Sequence, residues 1–189
     1  MQLLQNIWND ENLIKVLKEK GVVVMPTDTI YGIVGQALSS AVVLRIYNIK
    51  KRAPEKPFII LIGEIGELEK FSIILSEKQK DILKKYWPGP VSIILDCSDE
   101  TLLYLHRGTK TLAFRVPAQE NLRKLLLQTG PLVAPSANPE GLAPAQNIFE
   151  AKKYFSNAVD LYVDGGEIIS QASKVIELHK DGTSKILRP

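Results

Sequence analysis

Residues 22–32 read VVVMPTDTIYG, and this stretch decides how the chain is expected to fold. The β-branched run 22–25 ends at Pro26, which is typical of a buried strand. Thr27 and Thr29 follow at alternate positions, so in extended backbone both hydroxyls project to one side. Polar residues just beyond a strand's carboxyl end suit a small ligand in open α/β sheets. A turn capped by Thr and Asp side chains is the other interpretation, and the residues alone leave both open.

Helical and strand patterns alternate on both sides of this stretch. Upstream, apolar residues at helical spacing predict a helix that begins at a cap, Asn9 or Asp10, and ends at Gly21. Downstream, strands are predicted over 30–37, 58–62, 91–95, 111–116, 132–134, 161–163 and 174–178, and helices from Ser39 or Ser40, over 65–71, from 76 to 86, over 117–130 and over 147–155. No polar linker or repeat interrupts the alternation, which predicts one α/β domain over residues 1–189, with a mixed twisted sheet flanked by helices.

The charge of the chain is concentrated in one window. The net charge is +3, too small to indicate a nucleic-acid binder by itself. Between Arg45 and Lys56 stand five basic residues and one acidic residue, a local charge of +4, so the remainder of the chain sums to −1. Such local charge suits a small polyanion, such as a nucleotide, better than a long phosphate backbone.

Several classes of protein are excluded or disfavoured by what the sequence lacks. It contains no glycine-rich dinucleotide or phosphate-loop motif and no G-x-S-x-G, and its two histidines and one cysteine cannot supply a familiar zinc site. Both histidines, His106 and His179, are expected at the surface. Lone Cys97 favours a reducing compartment, and neither a signal peptide nor an 18-residue apolar run is seen. We therefore expect a soluble cytoplasmic protein without membrane contact.

The basic window contains a candidate phosphate grip. Pro54 and Pro57 favour extended backbone before them, where Lys50 and Arg52 at alternate positions would project together toward a polyphosphate. Lys56 follows shortly after. A solvated basic turn is the alternative interpretation of the same cluster.

Two further segments carry chemistry. Ser136 and Asn138 follow the predicted strand 132–134, where a hydroxyl and an amide could bind a phosphate, a ribose or an adenine, or simply form a proline-asparagine turn. Arg115 lies within an otherwise apolar strand and is costly to bury unless it meets an anion. A ligand carboxylate would satisfy it, and so would an internal Asp or Glu. Trp8 and Trp87 are open to either a structural role or a role as stacking platforms.

The order of these motifs carries more information than each motif alone. The succession P-T-D-T-I-Y-G, K-x-R, P-G-P, F-R-V-P, P-S-A-N and D-G-G resembles the YrdC/TsaC family, the threonylcarbamoyl-AMP synthases, from about Gly21 to Pro189. The short form is expected, because no residues follow Pro189 for the extra domain of the long form. The sequence departs from the family pattern at Ala53, usually proline, at Glu140, usually serine, and at Lys174, usually threonine.

The resemblance implies a positively charged cavity within the mixed sheet. It implies that L-threonine, bicarbonate and ATP condense to threonylcarbamoyl-AMP and pyrophosphate, the first step in modifying the adenosine beside the tRNA anticodon. A Mg²⁺ ion would accompany ATP without protein ligands, and the product would pass to a partner tRNA threonylcarbamoyl transferase, with tRNA itself a candidate ligand. Lys50 and Arg52 are the implied catalytic residues. By position, the resemblance assigns ATP to Lys50, Arg52, Lys56, Thr111, Ser136, Asn138, Pro144 and Arg188, and threonine to Thr27, Thr29, Arg115, Ala134 and Ser173.

Two rival functions use the same residues. One is a double-stranded RNA or tRNA-binding module that uses the basic cavity, which would show steep salt dependence. The other is a divergent family member that hydrolyses a nucleotide or an RNA adduct, against which the intact K-x-R and S-x-N pairs argue.

Overall fold

The computed structural model describes residues 7–189. The strands are β1 (Val23–Pro26), β2 (Tyr31–Gln36), β3 (Ile59–Leu61), β4 (Val91–Asp96), β5 (Thr111–Arg115), β6 (Leu132–Val133), β7 (Leu161–Tyr162), β8 (Lys174–Leu178) and β9 (Ser184–Arg188). The helices are α1 (Glu11–Lys18), α2 (Ser40–Lys50), α3 (Glu77–Tyr86), α4 (Leu103–His106), α5 (Glu120–Thr129) and α6 (Ile148–Phe155), with 3₁₀ turns at Ile65–Phe71 and Glu100–Leu102.

Within residues 7–189 the strands form a nine-stranded mixed sheet in the order β7-β1-β2-β6-β3-β5-β4-β8-β9. Three neighbouring pairs, β1–β7, β3–β5 and β4–β8, are parallel, and the other five are antiparallel. The predicted mixed sheet flanked by helices is therefore confirmed. Mixed pairing follows from the short connections, since the four residues between β1 and β2 allow only an antiparallel return.

Strand β1 shows how the sheet is covered on both faces. Val24, like Val22 just before the strand, packs in a core that also contains Val43 of α2, whereas Val23 and Met25 pack in a second core. The second core is closed by leucines of α1 and α5. Because side chains alternate along a strand, one run of four apolar residues serves both cores.

Local signals set the helix boundaries. Asp10 caps α1, accepting a hydrogen bond from the Leu13 N–H at 2.7 Å. Ser76 and Gln79 form a reciprocal capping box at the start of α3. No helix within residues 7–189 combines the length and apolar character needed to cross a bilayer.

The fold corrects one expectation, decides between two open alternatives and adds one strand. His106 is fully buried rather than at the surface, and its Nδ1 accepts a hydrogen bond from the Gly108 N–H. Trp8 and Trp87 are buried too, and each indole N–H donates to a backbone carbonyl, so neither presents a stacking face. The sequence patterns also missed β9, the last strand of the sheet.

Candidate ligand-binding cavity

A cavity of about 460 Å³ lies on the sheet face opposite the larger core. Ala113 of β5 lies at its floor, paired in register with Ile59 of β3 on one side and Ile94 of β4 on the other. The intervening residues Leu112 and Phe114 point into the core. The alternation of β5 thus turns every second residue toward a ligand-sized hollow.

Most of the residues proposed from the sequence line this cavity. They are Thr27, Thr29, Arg52, Thr111, Arg115, Ala134, Ser136, Pro144, Ser173 and Arg188. Lys50, Lys56 and Asn138 do not line it, but each is hydrogen-bonded to a residue that does: Lys50 to Ser136, Asn138 to Ser136, and Lys56 to Arg52. Among residues 7–189, those that line the cavity include three arginines and no carboxylate.

The turn between β1 and β2 presents two hydroxyls together. Oγ1 of Thr27 and Oγ1 of Thr29 are 3.3 Å apart, and Thr27 Oγ1 donates to the Ile30 carbonyl at 2.7 Å. Next to this turn, Gly32 lies close to the loop after β6, and it forms an isolated antiparallel β-bridge with Ser136 of that loop. A Cβ at Gly32 would lie 3.2 Å from the Thr27 methyl group and 3.4 Å from the Pro135 carbonyl oxygen, so a side chain there would require the Thr27 methyl group to shift by a few tenths of an ångström.

The anion that pairs with Arg115 is a carboxylate of the protein itself, that of Asp28. Its Nη2 donates to Asp28 Oδ1 at 2.8 Å and lies 3.4 Å from Thr29 Oγ1. Both charged side chains are almost completely buried. Among residues 7–189, Arg115 Nε and Asp28 Oδ2 lack a hydrogen-bond partner. Of the two anions that the sequence left open, the internal carboxylate is the one present, and Asp28 was not among the predicted site residues.

Lys50 and Arg52 do not form the expected extended, two-pronged pair. Helix α2 continues through Lys50, and Lys51 ends it in the left-handed region at φ 51°. The Arg52 N–H then returns to the Tyr47 carbonyl at 3.1 Å. The prolines at positions 54 and 57 act only after the helix has ended, so they do not extend the backbone at Lys50.

Lys50 ties α2 to the loop after β6. Its side chain is 1% exposed, and its ammonium group donates to the carbonyls of Ser136 and Asn138. Burial, followed by the charge of Arg52, lowers the pKa of Lys50 to about 7, while Glu140 acts in the opposite direction. The carbonyl contacts also favour the charged form.

Arg52 is fixed against the cavity wall. Its Nε donates to the Lys56 carbonyl at 3.0 Å and its Nη2 to the Pro57 carbonyl at 3.3 Å. The guanidinium carbon lies 5.3 Å from the centre of the Phe58 ring, which stacks on Tyr47 with ring centroids 4.0 Å apart. These contacts hold the cation in place and leave its other donors free for a ligand. The role of Phe58 had no signal in the sequence apart from its strand pattern.

Strand β9 brings Arg188 to the cavity. Its Nε donates to the Ser173 carbonyl at 2.8 Å, and its Nη2 lies 3.3 Å from Ser173 Oγ. Ser173 is buried, and its hydroxyl shares a 2.8 Å hydrogen bond with Ser92 of β4. Burial and then the charge of Arg115 lower the pKa of Arg188. The guanidinium groups of Arg115 and Arg188 are therefore close enough for their charges to interact.

Lys56, one of the residues expected to bind phosphate, is already paired with a carboxylate of the protein. It forms an ion pair with Glu140, whose carboxylate also accepts the Ala53 N–H at 2.6 Å. The contact with Lys56, followed by that with Ala53, lowers the pKa of Glu140.

The family comparison agrees with the geometry. Residues 15–189 match the Sua5/YciO/YrdC family, which carries the description telomere recombination. The threonylcarbamoyl-AMP synthase of Pyrococcus abyssi is 33% identical over 175 residues, 92% of this chain and 51% of the relative. That of Hahella chejuensis is 30% identical over 182 residues, 96% of this chain and 98% of the relative.

Solved structures show the same fold. The crystal structure of P. abyssi Sua5 complexed with L-threonine superposes with a TM-score of 0.86 at 31% identity, covering 97% of this chain and 54% of that one. The crystal structure of Escherichia coli YciO gives a TM-score of 0.81 at 25% identity, covering 97% of this chain and 89% of that one. The chain spans about half the length of its P. abyssi and Bacillus subtilis relatives.

Proposed function

Because the chain belongs to the Sua5/YciO/YrdC family, we propose that it condenses L-threonine, bicarbonate and ATP into threonylcarbamoyl-AMP and pyrophosphate. One observation carries the proposal: two threonine hydroxyls, Ser136 and three arginines from separate segments converge on a single cavity. The product would serve the threonylcarbamoyl modification of the adenosine beside the tRNA anticodon, through a partner transferase.

The amino-acid end of the cavity would lie at the turn after β1. Arg115 would hold the carboxylate of threonine, and the hydroxyls of Thr27 and Thr29 would accept or donate hydrogen bonds beside it. Asp28 already neutralises Arg115, so the substrate shares this cation with an internal carboxylate. The neutral amine adds to bicarbonate with loss of water, or to carbon dioxide with loss of a proton, and either reaction gives a carbamate.

The nucleotide end would lie between Arg52, Ser136 and Arg188. A carbamate oxygen attacks the α-phosphate of ATP, and the bond from that phosphorus to the bridging oxygen breaks as pyrophosphate leaves. Arg52 would stabilise the charge on the departing group from its fixed position on the Phe58 ring. Lys50 does not line the cavity, so it would act indirectly, because its ammonium group holds Ser136 in place. No covalent enzyme intermediate is required, so positioning and charge stabilisation supply the catalysis.

The residues of the cavity indicate how a Mg²⁺ ion would be held. Within residues 7–189 no group of three or more His, Cys, Asp and Glu side chains could hold an ion. The cavity lining offers hydroxyls and guanidinium groups. Mg²⁺ would therefore enter as part of the MgATP substrate, held by phosphate oxygens and water.

The size of the cavity favours this proposal over an RNA-binding module. A hollow of about 460 Å³ has the volume of a small-molecule site. A phosphate backbone is instead recognised by many exposed cations along a surface, and its binding falls steeply with salt.

The test is a product assay with ATP, labelled bicarbonate and threonine, run in parallel with serine. We expect threonine-dependent formation of labelled adenylate and pyrophosphate, and its loss in Arg52→Ala and Lys50→Ala proteins that circular dichroism shows to be folded. Lys84→Ala, an exposed lysine paired with Asp81 on α3, is the matched control. Near-normal product formation by Arg52→Ala, or pyrophosphate release that does not depend on threonine, would refute the proposal.

A further inference from the structure

Glu140 joins two segments of the cavity wall. Its carboxylate forms an ion pair with Lys56 and accepts the Ala53 N–H at 2.6 Å. Its own N–H donates to the Lys50 carbonyl at 2.9 Å. One residue in the loop after β6 thereby holds the stretch 50–56, which supplies the cations of the phosphate end.

The carboxylate depends on a donor that proline could not provide. Position 53 offers a backbone N–H because it is alanine, and position 140 offers the acceptor because it is glutamate. Both are positions at which the sequence departs from the motif pattern described above. In the structure these two positions meet in one hydrogen bond.

The same carboxylate competes with any incoming anion. The side chains of Lys56 and Glu140 are 54% and 29% exposed, so the ammonium group can be reached from solvent. An ion pair this exposed is weak, and a phosphate chain with several charges can replace it. Until it is replaced, a fixed negative charge beside Lys56 and Arg52 reduces the attraction of this wall for phosphate.

We propose that Glu140 is an internal competitor for the phosphate-binding cations: it occupies Lys56 until a polyphosphate displaces it, and so sets the affinity for the phosphate chain of the nucleotide. The identity of the nucleotide rests on the proposed function. The exchange itself needs only a polyphosphate anion.

The test measures binding of inorganic tripolyphosphate by calorimetry, without threonine or turnover. Glu140→Gln keeps an amide oxygen for the Ala53 N–H and removes the charge. We expect it to bind about two- to fivefold more tightly than the wild type, the range of an exposed ion pair. In a Lys56→Met background the same substitution should give no such gain. Glu120→Gln, which breaks a comparable lysine pair on α5, is the matched control and should bind as the wild type does.

Three results would overturn the proposal: Glu140→Gln binding no more tightly than wild type, an equal gain without Lys56, or a wild type that binds no tripolyphosphate. Thermal unfolding of each variant identifies a folding defect, and Glu140→Asp, which restores the charge, should return the affinity toward the wild-type value. Failure of the proposed function has a different signature. Tripolyphosphate exchange would persist while threonine-dependent pyrophosphate release would be missing.

Discussion

The Arg115 guanidinium donates to the Asp28 carboxylate at 2.8 Å, with the two side chains only 4% and 2% exposed. Both charges have left water, so each depends on the other to offset the cost of desolvation. This pair connects the turn after β1 to the middle of the sheet, and it places a cation next to the hydroxyl of Thr29.

Replacing Asp28 by Asn should destabilise the fold. The substitution keeps the size of the side chain but leaves Arg115 buried without a counter-charge, which costs about 3 kcal/mol. Urea unfolding would measure the loss. Asp81→Asn, which breaks an exposed pair with Lys84, should unfold with the wild-type midpoint. Equal midpoints for all three proteins would mean that the buried pair is not needed for stability.

Lys50 should give the protein a specific pH dependence. Its pKa is about 7 in the folded state and 10.5 in the reference state, so between these values the unfolded chain binds more protons than the folded one. Stability from this group is therefore lowest below pH 7 and rises with pH above it, by about 1 kcal/mol per pH unit. Urea titrations of wild type and Lys50→Met from pH 6.5 to 9 should diverge by this slope. Parallel curves would contradict a titrating Lys50.

Tyr31 should hold the segment 164–173, which includes Ser173, in place. Its hydroxyl donates to the Gly166 carbonyl and accepts the Gly165 N–H, each at 2.8 Å. Tyr31→Phe should cost about 1–2 kcal/mol and speed hydrogen exchange over residues 164–173. The KM for threonine should rise, because Ser173 lies in that segment. Tyr162→Phe removes a hydroxyl that bonds the Ser156 carbonyl outside the cavity and should leave exchange over 164–173 unchanged.

Arg188→Ala should weaken the binding of ATP and leave the stability of the fold nearly unchanged. β9 is exposed along its length by surface area, and the Arg188 side chain is bonded to the single residue Ser173, so its loss should change stability by about 1 kcal/mol or less. Losing a charged donor to the nucleotide should raise the KM for ATP about tenfold. Pyrophosphate-release kinetics would measure it, and Lys185→Ala on the same strand is the control. An unchanged KM for ATP would place Arg188 outside the nucleotide site.

The sequence was informative wherever a signal was local. The buried run before Pro26 became β1, and the cap at Asp10 began α1. Thr27 and Thr29 do face one cavity, but from the turn after β1 and not from extended backbone. Ser136 could be placed near the same cavity for a similar reason, since it follows directly on the end of a strand.

Partners distant in the chain could not be predicted this way. Asp28 is 87 residues from Arg115, and Glu140 is 84 from Lys56, so no spacing rule links them. Lys50 was misplaced because two prolines downstream suggested extended backbone, whereas the helix of α2 continued through it. β9 was missed because all five of its residues are exposed, which leaves no alternation of buried and exposed positions to detect.

The position of Arg188 makes strand β9 useful as an optical probe. The Arg188 side chain lines the cavity, whereas Lys185 of the same strand is exposed, so a fluorophore coupled through Lys185→Cys would sit three residues from a binding wall. Emission from such a dye would follow occupancy directly, in real time, without a coupled enzyme.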